Sequence, residues 1–554
     1  MADSTFDVVV LGSGAAGLVA ALAAHDRGAS VGVFEKADKL GGTTAISGGI
    51  AWIPANRYAD AAGVEDSRED ALAYLLSLSN GLIDEELAAT LVDTGAELID
   101  WLEAETPLHL RLVPRYPDYH PEHPGGKLGG GRSLEPELFS YDELGEWANR
   151  VTPAEFETHM LLQEQPVGGG SGDVDPDVMR DREARDVRSW GQALIGALLR
   201  GCLDRGIEPV TGAAARELVV EDGRVVAAVI ERDGVATTVR ARRGVVLATG
   251  GFEWNPELVR SFLRGPMTGP ASVPSNTGDG LRMAMEIGAS LGNMSEAWWM
   301  PVFKIPGDEY LGHPRSILTL RERTVPGTIM VNRQGVRFTN EAANYNAQGA
   351  ALHAFDMDRF EYANLPCWIV FDERCFRRYG YSVALPDADA PDWIERAATV
   401  AVLAAKIGVP ADALEQTVRR FNDNVTELGR DPDFGRGDSA YDAFNGEVTA
   451  TGHEATLGVI DSAPYYAVKI HAGALGTKGG PRTDADARVL DLDGEPIPGL
   501  YAAGNVMAGV TGMVYGGAGG TIGPAMTFGF RAGRHASAHA DAEAAPVEMA
   551  AATS

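Results

Sequence analysis

Three short runs of apolar residues, at 7–11, 244–247 and 499–503, each lead into glycine and other small residues. Uninterrupted apolar runs of this length predict strands that are buried on both faces, as in a parallel sheet covered by helices. After the first run comes a helical pattern over 15–27, which stops at Gly28, and then a second apolar run at 30–34. This order of strand, helix and strand predicts a βαβ unit at the start of the chain.

In other segments the apolar residues recur at other spacings. Residues 215–221, 224–232 and 235–241 alternate between apolar and polar positions and are separated by Asp-Gly pairs, which predicts a β-meander with tight turns. Residues 66–104 place Leu and Ala at helical spacing among acidic residues, which predicts two surface helices. A Pro- and Gly-rich stretch over 107–176 is too long for a plain connection, and we expect it to be a lid or an active-site cap.

The small residues after the first strand form the motif Gly12-Ser-Gly-Ala-Ala-Gly17. Glycines at this spacing allow a tight turn, a close approach of the backbone to a pyrophosphate, and close packing of the helix on the strand. The N-terminus of the helix also favours a negatively charged group. Glu35 follows the second strand at the distance where an acidic residue binds a ribose hydroxyl. The segment therefore predicts a dinucleotide site.

The residues after Glu35 favour FAD over a nicotinamide cofactor. The run 41–49 contains only small, hydroxyl-bearing or aliphatic residues, which suits a chain that passes beside a buried isoalloxazine ring. Near the C-terminus, a glycine loop leads into a helix with Pro524 in its first turn, and the dipole of this helix would stabilise negative charge on a reduced flavin. The predicted FAD contacts are Gly12, Gly14, Ala15, Ala16, Gly17, Glu35, Lys36, Gly42, Thr43, Thr44, Ser47, Gly48, Gly49, Ala248, Thr249, Gly250, Gly251, Asp279, Gly504, Asn505, Gly520, Thr521 and Ile522.

Together these segments resemble the flavoprotein family of fumarate reductases, succinate dehydrogenases and 3-ketosteroid dehydrogenases, over nearly the whole chain. The resemblance implies an α/β fold, in which a Rossmann-type, glutathione reductase-like FAD-binding domain carries an inserted α+β catalytic domain. We expect the first part of the FAD-binding domain at 1–293, the catalytic domain at 294–474, the C-terminal part of the FAD-binding domain at 475–540 and a disordered tail at 541–554. The flavin loop has threonines where membrane-bound relatives place a flavinylating histidine, so non-covalent FAD is expected.

The C-terminal motif is similar to that of 3-ketosteroid Δ1-dehydrogenases, where a tyrosine stands four residues before a glycine at the start of the last helix. Tyr515 and Gly519 occupy these positions, and the resemblance implies that they bind the ketone oxygen as an oxyanion hole. The catalytic base of the family, a tyrosine shortly after an Asn-Glu pair, matches Tyr345, and its supporting tyrosine in a Pro-Asp-Tyr tripeptide matches Tyr119. The implied reaction forms a C1–C2 double bond in a 3-ketosteroid: Tyr345 takes a proton from C2, and a hydride leaves C1 for flavin N5.

Several alternatives stay open at this point. Residues 304–330, and Gly516 where the steroid enzymes have a proline, depart from the steroid pattern. A Δ4-dehydrogenase, a desaturase of another cyclic ketone or an enone reductase would use the same donors and a similar base. A flavoprotein electron carrier without an organic substrate is a further alternative, but it has no need of three tyrosines that face one cavity. The aromatic run 296–303 is similar to one that lines the steroid cavity in the family.

Composition and charge fit a large enzyme of two or more domains. The 554 residues are 45% hydrophobic, and a net charge of −31 argues against nucleic acid and anionic membranes as partners. Three cysteines without C-x-x-C spacing indicate neither disulfides nor a metal site, so a separate acceptor, a quinone or another carrier, is expected to take the electrons. No apolar leader or membrane-spanning run is found, which predicts a cytoplasmic protein. The resemblance to 3-ketosteroid dehydrogenases implies a small apolar, steroid-like ketone as substrate and a role in steroid metabolism and lipid degradation.

Overall fold

Two seven-stranded sheets organise the protein, for which a computed structural model describes residues 4–156 and 158–538, without the side chain of Val167. The predicted tail at 541–554 lies outside the described residues. The strands of the two sheets are, in chain order, β1 (Ser4–Leu11), β2 (Val31–Phe34), β3 (Ala214–Glu221), β4 (Arg224–Arg232), β5 (Val235–Leu247), β6 (Gly269–Pro270), β7 (Ala297–Phe303), β8 (Ile317–Leu318), β9 (Thr328–Asn332), β10 (Cys367–Asp372), β11 (Glu395–Ala397), β12 (Tyr465–Thr477), β13 (Arg488–Leu490) and β14 (Pro496–Ala502).

Short strands form small sheets outside these two. They are Ala51–Trp52 with Leu110–Leu112 and Ser133–Pro136, Phe139–Ser140 with Val187–Arg188, Leu291–Gly292 with Gly480–Pro481, Glu309–Tyr310 with His313–Pro314, and Phe355–Asp356 with Glu361–Tyr362. The α-helices are α1 (Ala15–His25), α2 (Gly42–Ala45), α3 (Arg57–Ala61), α4 (Arg68–Ser77), α5 (Glu85–Glu105), α6 (Pro176–Ala184), α7 (Trp190–Asp204), α8 (Pro256–Phe262), α9 (Asp279–Glu286), α10 (Tyr345–Leu352), α11 (Glu373–Tyr379), α12 (Val400–Ile407), α13 (Ala411–Asp423), α14 (Ala440–Phe444) and α15 (Ile522–Ala538).

The first sheet has the order β2-β1-β5-β14-β13, and its four neighbouring strands from β2 to β14 are parallel. The three predicted apolar runs therefore lie side by side, and their carboxyl ends share one edge. Val8, Val9 and Val10 of β1 are fully buried because the sheet is covered on both faces. The predicted βαβ unit is confirmed as β1, α1 and β2, and the two predicted surface helices are α4 and α5.

The predicted three-stranded meander is confirmed as β3, β4 and the first half of β5, but its third strand is longer than predicted. Residues 235–241 and 244–247 were expected as separate strands, but they form the single strand β5. Its first half pairs with β4 in the meander, whereas its second half pairs with β1 and β14. The strand continues through Gly244, whose backbone is extended. Glycine is needed there because an added Cβ would lie 2.7 Å from the Tyr501 ring.

Helix α15 packs closely on α1 through its glycines. A Cβ added to Gly529 would lie 2.4 Å from the carbonyl oxygen of Ala16. A Cβ added to Gly533 would lie 2.3 Å from the carbonyl oxygen of Ala20. Because both positions lack a side chain, the two backbones approach closely, and the N-terminus of α15 is held beside the motif that begins α1.

The second sheet has the order β8-β7-β12-β10-β9, with the short strands β6 and β11 also paired to β12. Alternate residues face opposite sides, so that Met330 and Ile369 belong to one apolar cluster, and Ile329 and Val370 belong to another. A further cluster, rich in tyrosine, lies beside β7 and contains Tyr345. Within the described residues, no helix is long and apolar enough to cross a lipid bilayer.

Candidate active site

A large cavity of about 740 Å³ is lined by residues from both sheets, from the Pro- and Gly-rich stretch 107–176, called the cap stretch from here on, and from the start of α15. Most of the predicted cofactor and catalytic residues line it. They are Gly12, Gly14, Ala15, Ala16, Glu35, Lys36, Gly42, Thr43, Thr44, Ser47, Gly48, Gly49, Tyr119, Ala248, Thr249, Gly250, Asp279, Tyr345, Gly504, Asn505, Tyr515, Gly519, Thr521 and Ile522.

The part of the cavity at the carboxyl ends of β1 and β5 fits a dinucleotide. Gly12 has a φ of +110°, and an added Cβ would lie 2.2 Å from the carbonyl oxygen of Ala248, so only glycine leaves the turn open. The hydroxyl of Thr249 is buried without a hydrogen-bond partner among the described residues, although it lines the cavity. A buried, unpaired hydroxyl in a glycine-lined cradle is what a bound phosphate or ribose would satisfy.

Glu35 has one acceptor position left for a ribose. Its Oε2 accepts hydrogen bonds from the N–H and the hydroxyl of Ser13, at 3.0 and 2.8 Å, and its Oε1 accepts one from Ala37 N–H at 2.8 Å. A carboxylate offers about four acceptor positions, so that Oε1 retains one. The neighbouring Lys36 is paired with Asp279 at 2.7 Å, which joins the end of β2 to the start of α9.

Three predicted FAD contacts, Gly17, Gly251 and Gly520, do not line the cavity. Each fills a place where a side chain would collide with a neighbour. A Cβ at Gly17 would lie 2.1 Å from Gly12 O, and one at Gly251 would lie 2.3 Å from Thr477 Oγ1. A Cβ at Gly520 would lie 3.1 Å from the Tyr515 ring. The structure therefore gives these glycines a packing role beside the cavity.

The three predicted catalytic tyrosines converge at the inner part of the cavity. The Tyr119 hydroxyl donates a hydrogen bond to the Tyr345 hydroxyl oxygen at 2.7 Å. The ring centroid of Tyr515 lies 5.1 Å from that of Tyr119 and 5.3 Å from that of Tyr345. The hydroxyl of Thr521 donates to the Tyr515 hydroxyl oxygen at 3.0 Å. All three tyrosines are buried, so their hydroxyl groups meet in a place largely closed to bulk water.

Local hydrogen bonds bring these distant segments together. Tyr345 is the first residue of α10, and Asn344 caps this helix by accepting from Ala347 N–H at 3.0 Å. The side-chain amide of Asn344 also donates to Tyr119 O at 3.2 Å. The backbone N–H of Tyr119 donates in turn to Gly516 O at 2.9 Å, next to Tyr515. The side chain of Asn344 therefore joins the start of α10 to Tyr119, and the backbone hydrogen bond from Tyr119 to Gly516 joins Tyr119 to the segment of Tyr515.

Gly519 presents a free backbone donor near Tyr515. Its φ is +94°, and an added Cβ would lie 2.5 Å from Trp52 N, so the position requires glycine. Its carbonyl oxygen accepts from Trp52 N–H at 3.0 Å, while no hydrogen bond within the described residues uses its own N–H. The Trp52 indole is held by Asp118, 2.8 Å away, which is the residue before Tyr119. Tyr515 O–H and Gly519 N–H can therefore serve together as donors to an oxygen in the cavity.

The environment of the tyrosines disfavours their phenolates unless donors compensate. Burial, and next the neighbouring Tyr515, raise the pKa of Tyr345 well above its usual value, whereas the hydrogen bond from Tyr119 lowers it. Burial also raises the pKa of Tyr119 and of Tyr515, and the hydrogen bond from Thr521 opposes this shift in Tyr515. Tyr119 is thus the described donor that favours the ionised form of Tyr345.

Arg323 and Tyr441 were not predicted to belong near the site. Arg323 is buried and donates to Thr319 O at 3.0 Å and to Ala343 O at 2.7 Å, which fixes the turn before Tyr345. Its positive charge lowers the pKa of Tyr441, which burial raises. Tyr441 packs edge-on against Tyr119 with ring centroids 4.9 Å apart. No sequence motif marks either residue, because each reaches the site through tertiary packing.

The expectation that the aromatic run 296–303 lines the cavity is wrong. The run forms β7, whose residues are all buried, and none of them lines the cavity. Trp298 instead packs behind Tyr515, with ring centroids 4.7 Å apart, and donates its indole N–H to Asn505 Oδ1 at 3.0 Å. Trp299 packs against His353. An interior sheet strand buries both of its faces, so its aromatic residues support the cavity from outside.

The other candidate chemistry is structural. Cys202, Cys367 and Cys375 are buried and unpaired, and burial raises the pKa of Cys202 and of Cys367 to about 12. Within the described residues, no group of three His, Cys, Asp or Glu side chains could hold a metal ion. His120, the residue after Tyr119, places its ring Nε2 3.2 Å from the side-chain amide nitrogen of Asn344. The cysteines therefore contribute to apolar packing away from the cavity, and His120 contributes a hydrogen bond beside Tyr119.

A family model, curated relatives and a solved structure each match most of this chain. The family model described as an FAD binding domain matches residues 7–522. A 4-oxocyclohexanecarboxylate 2-dehydrogenase of Sinomonas cyclohexanicum is 42% identical and aligns with 96% of this chain and 92% of its own length. A 3-oxosteroid 1-dehydrogenase of Mycobacterium tuberculosis is 40% identical and aligns with 97% of this chain and 99% of its own. The crystal structure of 3-ketosteroid delta1-dehydrogenase from Sterolibacterium denitrificans in complex with 1,4-androstadiene-3,17-dione is 37% identical, with a TM-score of 0.89, over 97% of this chain and 100% of that one.

Proposed function

Because the chain belongs to the family of flavoproteins with this FAD binding domain, we propose that it is an FAD-dependent 3-oxosteroid 1-dehydrogenase. The observation that carries the proposal is the convergence of Tyr119, Tyr345 and Tyr515 with Gly519 in the cavity that also contains the dinucleotide cradle. The full-length similarity to 3-oxosteroid 1-dehydrogenases supports the same reaction. It also favours an enzyme over an electron carrier without an organic substrate.

The reaction follows from the roles that these groups can play. Tyr515 O–H and Gly519 N–H donate to the C3 ketone oxygen, and this oxygen gains negative charge as the adjacent C2–H bond breaks. The phenolate of Tyr345 accepts the C2 proton, and Tyr119 stabilises this phenolate by donating to its oxygen. FAD held by Gly12, Glu35 and Thr249 would supply the acceptor for the hydride from C1. Loss of the proton from C2 and of the hydride from C1 leaves a double bond between C1 and C2.

We propose that the FAD phosphates and ribose are held by Gly12, Glu35 and Thr249. Gly12 leaves the turn open, Glu35 keeps an acceptor position, and Thr249 has a buried hydroxyl without a hydrogen-bond partner among the described residues. The N-terminus of α15, with Thr521 and Ile522 at the cavity, is proposed to stabilise negative charge on the pyrimidine edge of the ring. The separate electron acceptor, a quinone or another carrier, and the cytoplasmic location stay predictions.

A smaller cyclic oxo acid is the second candidate substrate, because the relative from Sinomonas cyclohexanicum is named for 4-oxocyclohexanecarboxylate. A carboxylate in a cavity requires an unpaired cation or equivalent donors. Among the described residues that line the cavity, one is a lysine, Lys36, and one is an arginine, Arg315, and both are in ion pairs. Lys36 lies 2.7 Å from Asp279. Arg315 lies 3.1 Å from Asp308 and 3.7 Å from Glu155. This charge balance favours a neutral ketone.

The test compares the two candidate substrates in one assay. Purified holoenzyme with an artificial electron acceptor is given androst-4-ene-3,17-dione or 4-oxocyclohexanecarboxylate, and products are identified by mass and double-bond position. We expect the 1,4-diene from the steroid and a kcat/KM at least a hundredfold lower for the oxo acid. A reversed preference would assign the cavity to the small acid. If androst-4-ene-3,17-dione is not oxidised but 5α-androstane-3,17-dione gains a double bond at C4–C5, the enzyme is a Δ4-dehydrogenase.

A further inference from the structure

Three polar atoms of residues that line the cavity form no hydrogen bond within the described residues, although one of them, Arg315 Nε, takes part in an ion pair. They are Glu155 Oε1, Arg315 Nε and Ser316 Oγ, and all three residues line the cavity. Ser316 as a whole is only 7% exposed, so its hydroxyl is shielded from bulk water. Buried polar groups are normally satisfied, and those that are not often mark the place of a ligand.

Arg315 lies at the rim of the cavity, and among the described residues no hydrogen bond or ion pair joins Glu155, Arg315 or Ser316 to the three tyrosines. Arg315 follows the exposed strand His313–Pro314 of a hairpin, and both His313 and Pro314 line the cavity while they remain exposed to solvent. The hairpin is fastened to the cap stretch, because Tyr310 O–H donates to Pro153 O at 2.8 Å. Its other strand and the segment up to 320 belong to the region 304–330 that departs from the steroid pattern.

The charges of this cluster select the kind of group that would bind. Arg315 Nε lies 3.1 Å from Asp308 Oδ2 and 3.7 Å from Glu155 Oε2, so its charge is balanced by two carboxylates. Burial raises the pKa of Glu155 to about 7. An anionic ligand would therefore meet no excess of positive charge. A hydroxyl group can donate to Glu155 and accept from Arg315 or Ser316 at once, which satisfies atoms of both kinds.

We propose that Glu155, Arg315 and Ser316 form a polar subsite that binds a neutral hydroxyl group at the end of the substrate opposite the reacting ketone. The inference rests on the proposed function and extends it, since it assigns a substrate with an oxygen at each end. The ketone is held by Tyr515 and Gly519, and the far hydroxyl by the hairpin and the cap. Recognition at two ends fixes the long axis of the molecule, and so determines which C–H bonds face the flavin side.

The experiment uses two steroids that differ only in the far oxygen, 17β-hydroxyandrost-4-en-3-one and androst-4-en-3-one. Wild-type holoenzyme is expected to show a kcat/KM about tenfold or more higher for the hydroxylated steroid. In Glu155→Leu this ratio should fall to about 1, through loss of rate on the hydroxylated steroid only. Ser316→Ala should lower the ratio severalfold with little change in packing. Glu309→Gln, a change on the exposed side of the same hairpin, should leave the ratio unchanged.

The results distinguish failure of the polar subsite from failure of the proposed dehydrogenase function. A wild-type ratio near 1, or an undiminished ratio in both Glu155→Leu and Ser316→Ala with FAD bound, would overturn the subsite while leaving the dehydrogenase intact. Equal losses on both steroids would also overturn it, because that result indicates general damage to the cavity. If wild-type enzyme oxidised neither steroid, the proposed function itself would fail, and the subsite with it.

Discussion

The Tyr119 hydroxyl donates a 2.7 Å hydrogen bond to the Tyr345 hydroxyl oxygen, although the two residues are 226 positions apart in the sequence. Tyr119 comes from the cap stretch and Tyr345 from the N-terminus of α10. The bond places a donor on the atom that we propose to accept the substrate proton. Because burial opposes ionisation of Tyr345, this donor determines the pH at which the base becomes available.

We predict that Tyr119→Phe shifts the rise of kcat to higher pH by about one unit or more, because the pKa of Tyr345 increases when its donor is lost. The phenolate of Tyr345 is the active form of the base, so activity increases as the pH rises through the pKa of Tyr345. A higher pKa therefore moves this increase to higher pH. The pH dependence of kcat measures the shift. Wild-type enzyme itself should be most active at alkaline pH.

Tyr441→Phe is the matched control for that variant. Tyr441 contacts the Tyr119 ring, but its hydroxyl has no hydrogen-bond partner among the described residues. Its removal should leave the pH profile within a few tenths of a unit of wild type. An equal shift in both variants would assign the effect to general repacking of the aromatic cluster.

Tyr345→Phe should lower kcat by about 10² to 10⁴-fold, the range for loss of a general base. FAD binding should be unchanged, because within the described residues no hydrogen bond joins the Tyr345 hydroxyl to Gly12, Glu35 or Thr249. Steady-state kinetics and the flavin spectrum of the purified variant measure the two effects. Near-normal turnover by this variant would remove Tyr345 from the proposed role.

Tyr515→Phe should lower kcat by about 10² to 10³-fold, because one of two oxyanion donors is lost. The loss should appear mainly in kcat, since the donor acts on charge that develops during the reaction. Tyr501→Phe offers a control, because Tyr501 is a buried tyrosine that binds His535 and does not line the cavity. A loss confined to KM would show that Tyr515 only binds the substrate.

Glu35→Ala should weaken FAD binding by about tenfold or more, because the variant loses the acceptor for a ribose hydroxyl and the support of Ser13. Titration of the apoprotein with FAD, followed by flavin fluorescence, measures the affinity. Glu217→Gln, an exposed change on β3, should bind FAD as wild type does. Equal affinity in Glu35→Ala and wild type would place the ribose elsewhere.

The sequence predicted those parts of the protein that local patterns determine. The glycine motif at 12–17 predicted the turn that places Gly12 at a φ of +110°, because few other residues allow that conformation. The tyrosine positions came from short motifs that resemble a family, and the structure brings all three into one cavity. Period-two alternation predicted the meander, but it could not show that residues 235–247 are one strand shared by two pairings.

The features that were missed depend on packing between distant segments. A fully apolar run such as 296–303 has no polar face, so its pattern could not show that Trp298 supports Tyr515 from behind the cavity. Arg323 and Arg315 look like surface residues in the sequence, since arginine is usually exposed. Arg323 is buried and Arg315 is partly buried, because the fold brings carbonyl and carboxylate partners near them.

The most direct test of the central claim is anaerobic mixing of the oxidised holoenzyme with androst-4-ene-3,17-dione while the absorbance of the oxidised flavin is followed. We predict rapid loss of this absorbance in wild-type enzyme, formation of one equivalent of androsta-1,4-diene-3,17-dione per flavin, and loss of both signals in Tyr345→Phe. A flavin that stays oxidised in the wild type, or that is reduced equally fast in Tyr345→Phe, would contradict the account.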